Sequence, residues 1–124
     1  MGQDSPVELI LIGYWRSENS PEWPDPHDFV DSSWDETERH LTVNLLRAGT
    51  IARTYRGWSY CRFCAAQNGD NEFTDGTYLW PGGLAHYVES HGVRLPEAFV
   101  RHAIGTIDRL ESAPVDRDWW KSQA

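Results

Sequence analysis

Four residues stand out for the chemistry their types and spacing allow. Cys61-Arg62-Phe63-Cys64 is followed after 21 residues by His86, and His91 follows after four more, giving C-x2-C-x21-H-x4-H. Thiolates and imidazoles are the donors that zinc takes in a tetrahedral site. A C-x-x-C turn presents two sulfurs to one point, and two histidines near a helix end present two nitrogens. The pattern therefore predicts one Cys2His2 zinc site built from Cys61, Cys64, His86 and His91. Residues five apart on an ideal helix diverge by about 140°, so the H-x4-H pair requires a last turn that tightens or frays before Gly92.

Other readings of these residues are weaker. A thioredoxin-like redox pair needs its C-x-x-C at the start of a helix, where the dipole lowers a thiol pKa. Here Asn68-Gly69, a strong turn signal, follows within a few residues. Plain buried thiols beside surface histidines would not supply four matched donors in this order. His86-Tyr87-Val88-Glu89-Ser90-His91 is one residue longer than the H-x-x-E-H of inverted zincins. Two thiolates and two imidazoles also leave no open position for water, so the reading is a structural site. His27, His40 and His102 fall outside the pattern.

The elements that must position these donors follow from periodicity and punctuation. Val7–Trp15 is rich in β-branched and aromatic residues and reads as a first strand. Pro21, Pro24 and Pro26 make residues 17–28 an extended loop. A helix is expected from about Ser33, with Ser33 and Glu36 as a capping box. Its inward stripe would be Trp34, Leu41, Leu45 and Ala48, and Gly49 would end it at φ > 0. Residues 50–60 read as a second strand, bent at Gly57. Residues 72–80 read as a further strand or short hairpin with a turn at Asp75-Gly76. Pro81 suits the first turn of a helix running to His91. Pro96 opens another helix, to about Leu110, whose buried face is Phe99, Val100, Ala103, Ile107 and Leu110. The expectation is an α+β fold: a small single domain over 1–124, with a few antiparallel strands, three helices and a ββα-like zinc module at about 58–95.

The chain has 124 residues, 40% of them hydrophobic, and seven tryptophans. That composition is globular. No apolar run reaches the roughly 18 residues of a membrane span, and the N-terminus lacks a basic and apolar leader. A cytoplasmic protein is expected, and there a lone C-x-x-C points to metal or redox chemistry, not a structural disulfide. Residues 1–40 hold ten acids against Arg16 and Arg39, which accounts for the whole net charge of −8. Such a surface repels phosphate backbones and attracts basic partners.

The stretch from Tyr55 to Cys64, with Asn68-Gly69, Thr74-Asp75-Gly76, Trp80-Pro81, Gly83-Leu84-Ala85-His86-Tyr87-Val88, His91 and Arg94-Leu95-Pro96, resembles a family of small uncharacterised bacterial proteins. These share a C-x2-C…W-P-x-G-L-x-H-Y…H core. The resemblance extends upstream through Gly13-Tyr14-Trp15 and Trp34-Asp35. It implies the same ligand set and a bacterial cytoplasmic setting, and says nothing of substrate or partner.

The functional expectation is a small zinc-stabilised protein, more a binder than an enzyme, that docks another protein. Trp15, Trp23 and Trp34 would act as anchors among Glu22, Asp25 and Asp28, facing a basic partner. By analogy, immunity proteins that neutralise basic toxins are of this kind. The alternatives are a small zinc-dependent enzyme, with Asp75, Tyr87, Glu89 and Arg94 near the metal, and a nucleic-acid-binding zinc-finger-like protein. The second would use Arg53, Arg56, Arg62, Arg94 and Arg101, although residues 84–91 contain Glu89 and no Lys or Arg. No nucleophile elbow, phosphate loop or dinucleotide fingerprint is present.

Overall fold

The computed structural model describes residues 7–54, 59–69 and 71–124. The chain runs through strand β1 (Ile10–Leu11), a 3-10 turn (Pro26–Phe29), helix α1 (Glu36–Arg47) and strands β2 (Thr50–Thr54), β3 (Asn71–Thr74) and β4 (Tyr78–Pro81). Helices α2 (Leu84–His91), α3 (Glu97–Glu111) and the short α4 (Asp118–Lys121) complete it. The four strands form one sheet in the order β1-β4-β3-β2. The fold is α+β, as expected. The sheet is mixed, however, not purely antiparallel: β2, β3 and β4 pair antiparallel, whereas β1 lies parallel to β4. Among the described residues no helix is long and apolar enough to cross a membrane.

The first strand is much shorter than residues 7–15 suggest. Gly13 takes φ 88° and breaks the extended run, turning Trp15 inward. The second strand stops at Thr54, and the expected bend at Gly57 lies outside the described residues.

Helix α1 starts two residues later than a Ser33 cap would give. Asp35 is the N-cap and accepts from the Glu38 N–H at 2.9 Å, while Ser33 is bound to Asp31 through its N–H and hydroxyl. The buried face is Thr42, Val43, Leu45 and Leu46. Ala48 is exposed and Leu41 half-buried, because α1 packs against both α2 and α3 and its inward face is displaced from the simple stripe. Gly49 does not take a positive φ. It is small for another reason: a Cβ there would sit 2.7 Å from Trp80 Cζ2.

The turn between β3 and β4 falls at Asp75-Gly76, with Gly76 at φ 94°. Asp75 accepts from the Thr77 and Tyr78 N–H groups and pairs with His102 of α3 at 2.6 Å. Burial alone would raise its pKa, but those partners hold the carboxyl below its ordinary value. Pro81 closes β4, paired with Glu72, instead of opening a helix; α2 begins three residues on, with Gly83 as N-cap.

The core lies where sheet and helices meet. Trp80 on β4 is 1% exposed; its indole N–H donates to Leu46 O and its ring meets Phe99 of α3 edge-on. Phe99, Val100 and Ala103 are buried as expected, but Ile107 is only half-buried and Leu110 is 70% exposed. The last turns of α3 run past the core, so the helical period continues with nothing to bury against.

Candidate metal centre

The cysteines lie in a tight turn. Tyr60 and Gln67 pair across its base. Inside it the Cys61 N–H donates to Ala66 O and the Ala65 N–H to Cys61 O, at 2.8 and 2.9 Å. Ala65 takes φ 59°, the left-handed conformation that a reversal this tight requires. The Phe63 N–H points at Cys61 Sγ at 3.4 Å, which fixes the sulfur inside the turn. No helix starts at the pair, so the placement that activates a redox thiol is missing.

The histidines come from α2. The Gly92 N–H bonds to Tyr87 O, five residues back, and Val93 N–H bonds to the same oxygen. The last turn is thus widened, not tightened or frayed as the spacing suggested. A wider turn brings residues five apart back toward one side. Gly92 closes it at φ 65°.

As a result His86 Nε2 lies 3.2 Å from His91 Nε2 and 3.4 Å from Cys64 Sγ. Donor atoms of Cys61, Cys64, His86 and His91 all lie within 4.8 Å of one another, a cluster able to hold a metal ion. Cys61 is buried and Cys64 exposed, with the histidines between, so the cluster sits at the surface with one sulfur anchored in the core. Burial, and then the neighbouring His86, hold the His91 pKa below its ordinary value. At neutral pH that keeps the ring uncharged, the state a metal ligand needs.

Of the two residues between the cysteines, the sequence weighed Arg62 only for nucleic acid and did not single out Phe63. Both fasten the N-terminal segment to the turn. The Arg62 guanidinium donates to Arg16 O at 3.1 Å, to Trp15 O at 3.5 Å and to Tyr60 O at 2.7 Å. The Phe63 ring lies between His91, stacked at 4.7 Å, and His27, at 4.3 Å. Tyr87 accepts the Arg62 N–H at 2.9 Å; burial raises its hydroxyl pKa, and the adjacent Cys61 adds to the rise.

Of the residues expected to form a docking face, two lie in the core. Trp15 and Trp34 are each 7% exposed and belong to the core. Trp15 packs on Phe29 and Tyr87; Trp34 lies under Arg94 and donates to Glu38. This corrects their role as anchors: large indoles on a chain this short are needed inside. Trp23 is half-buried against Tyr14. Asp25 caps the 3-10 turn and pairs with His27 at 2.7 Å, and its hydrogen bonds to His27 lower its pKa. Glu22 and Asp28 are exposed.

The polar residues weighed for catalysis do not converge. Asp75 holds His102, Tyr87 holds the knuckle, Glu89 faces Arg47 at 2.6 Å, and Arg94 faces Asp31 at 2.8 Å. The arginines weighed for nucleic acid are similarly occupied. Arg53 pairs with Glu72, Arg101 with Glu38 and Glu97, and Arg62 with backbone carbonyls; Arg56 lies outside the described residues.

Comparison with known proteins gives no match: no family model, characterised protein or solved structure is significantly similar to this chain.

Proposed function

We infer that the chain is a small zinc-stabilised binding protein whose metal is structural, not catalytic. The carrying observation is the convergence of four protein donors on one point. A tetrahedral zinc with bonds of about 2.3 Å to sulfur and 2.0–2.1 Å to nitrogen has donor-to-donor edges of about 3.3–3.7 Å. The 3.2 Å and 3.4 Å separations at His86 lie close to those edges. Cys61 and Cys64 would hold the ion on the knuckle, and His86 and His91 would close it from α2. With four protein donors no position remains for an activated water, and the chemistry supplied is cross-linking. Elemental analysis of protein purified without chelator is expected to give one zinc per chain. A folded protein with none, or with iron in its place, contradicts the assignment.

The acidic first third is the side proposed to meet a protein partner. Glu22 and Asp28 project from the Pro-rich loop beside the half-buried Trp23, and positive charge is the complement of that surface. A basic partner, such as a toxin domain held by an immunity protein, fits this chemistry. Pull-down from the source lysate is expected to recover a basic protein with the wild type, less of it as salt rises, and none with Glu22→Lys plus Asp28→Lys. Equal recovery by the reversed variant would reduce the segment to a solubilising face.

A further inference from the structure

Beside the knuckle lies an open cleft of about 710 Å³, within the size range of small-molecule sites. Residues 13–23 form one wall, the knuckle residues 59–68 form the other, and β3 with the start of α2 forms the floor. On that floor is Glu72, a carboxylate only 7% exposed on an otherwise ordinary strand. One of its oxygens accepts from the Tyr14 hydroxyl and the other from Arg53 Nε at 2.7 Å. Burying a carboxylate is costly, and these two partners offset the cost while leaving lone pairs unused.

We propose that this cleft, floored by Glu72 and walled by Tyr14, Trp23 and Tyr60, binds a neutral polyhydroxylated ring: a mono- or disaccharide. Charge excludes the simpler ligands. An organic cation would meet the Arg53 and Arg62 guanidinium groups, and an anion would meet Glu72. A neutral ligand that both donates and accepts is satisfied by all of them. The remaining polar lining includes the short hydroxyls of Ser17, Ser20 and Ser59, which can each exchange hydrogen bonds with ring hydroxyls, beside Thr54, whose hydroxyl donates to Asn71, and Asn68. Tyr14 and Trp23 lie side by side, 6.1 Å apart and tilted by 39°. They form a platform for the apolar C–H face of a sugar, not the parallel slot that a planar base prefers.

The test is an array of immobilised mono- and disaccharides probed with the full chain in its metal-loaded form. Retention of at least one saccharide is expected. Trp23→Ala and Glu72→Gln should each weaken it at least tenfold. Trp23 is only half-buried, so its variant reports on binding even if Glu72→Gln fails to fold. Trp119→Ala with Trp120→Ala removes two indoles that are 65% and 72% exposed and outside the cleft, and should leave retention unchanged. Absence of any retained saccharide overturns the proposal. So does retention that survives Trp23→Ala, or quenching of tryptophan fluorescence by uridine or guanosine with no response to sugars.

Discussion

Cys61→Ser lowers the melting temperature by on the order of 10–20 °C and abolishes metal retention. The size follows from linkage: an ion held at about 1,000 times its dissociation constant stabilises the folded state by about 4 kcal/mol. For a chain of this size, between the small and the larger domains, each kcal/mol moves the midpoint by roughly 3–5 °C. The damage is local. β3 and β4 are inner strands of the sheet, and α2 gives Leu84, Ala85, Tyr87 and Val88 to the core. The segment 58–95 is therefore not a module that melts alone when its metal is lost. What a bound ion would hold is the knuckle and, through Arg62 and Phe63, the segment from Trp15 to His27. Limited proteolysis of the variant is expected to cut within residues 17–27 and 61–69 while α1 and α3 stay protected. His86→Ala should behave the same way. Chelator should bring the wild type down to the Cys61→Ser melting temperature and leave that variant unmoved, because both remove one interaction. A variant that melts with the wild type would show that the cluster carries no stability.

The donor set was legible because side-chain chemistry at fixed spacing does not depend on packing detail. The hairpin turn at Asp75-Gly76, the stop of α2 at Gly92 and the start of α3 after Pro96 were legible for a related reason, since each rests on a local backbone preference. Two misreadings were local, since Asp35 and not Ser33 caps α1 and Gly13 breaks the first strand; the others were tertiary. Pro81 belongs to β4 because the strand pairs with β3, and nothing in the proline itself separates strand end from helix start. Ala48 and Leu110 keep the helical period but face no neighbour. Trp15 and Trp34 sit in an acidic segment and looked like surface anchors, whereas their burial depends on Phe29, Tyr87 and α1 closing over them. Glu72 was not legible as a buried acid, because its burial depends on Tyr14 and Arg53 closing on it from other elements.

Gly13→Ala is expected to cost about 3 kcal/mol without any loss of metal. Two effects add at that position. Its φ of 88° is strained for any residue with a Cβ, at roughly 1–2 kcal/mol. A Cβ there would also lie 2.6 Å from Leu84 Cδ2 and 2.9 Å from Cδ1. Leu84 is 0% exposed and cannot swing into solvent, so overpacking adds about 1–3 kcal/mol. Two other glycines separate the terms. Gly76, at φ 94° with nothing within 4 Å, has the strain without the crowding. Gly49 has the crowding, 2.7 Å to Trp80, without the strain. Urea titrations with unchanged slopes should therefore rank the alanine variants with Gly13 lowest in stability and below either of the others. Gly13 stands between β1 and the buried Trp15, and it packs on the first residue of α2. Its small size thus lets the N-terminal segment lie flat on the helix that carries His86 and His91. If Gly13→Ala proves no worse than Gly76→Ala, then Leu84 has room to repack, and the close seating of that segment on α2 is not what fixes the site.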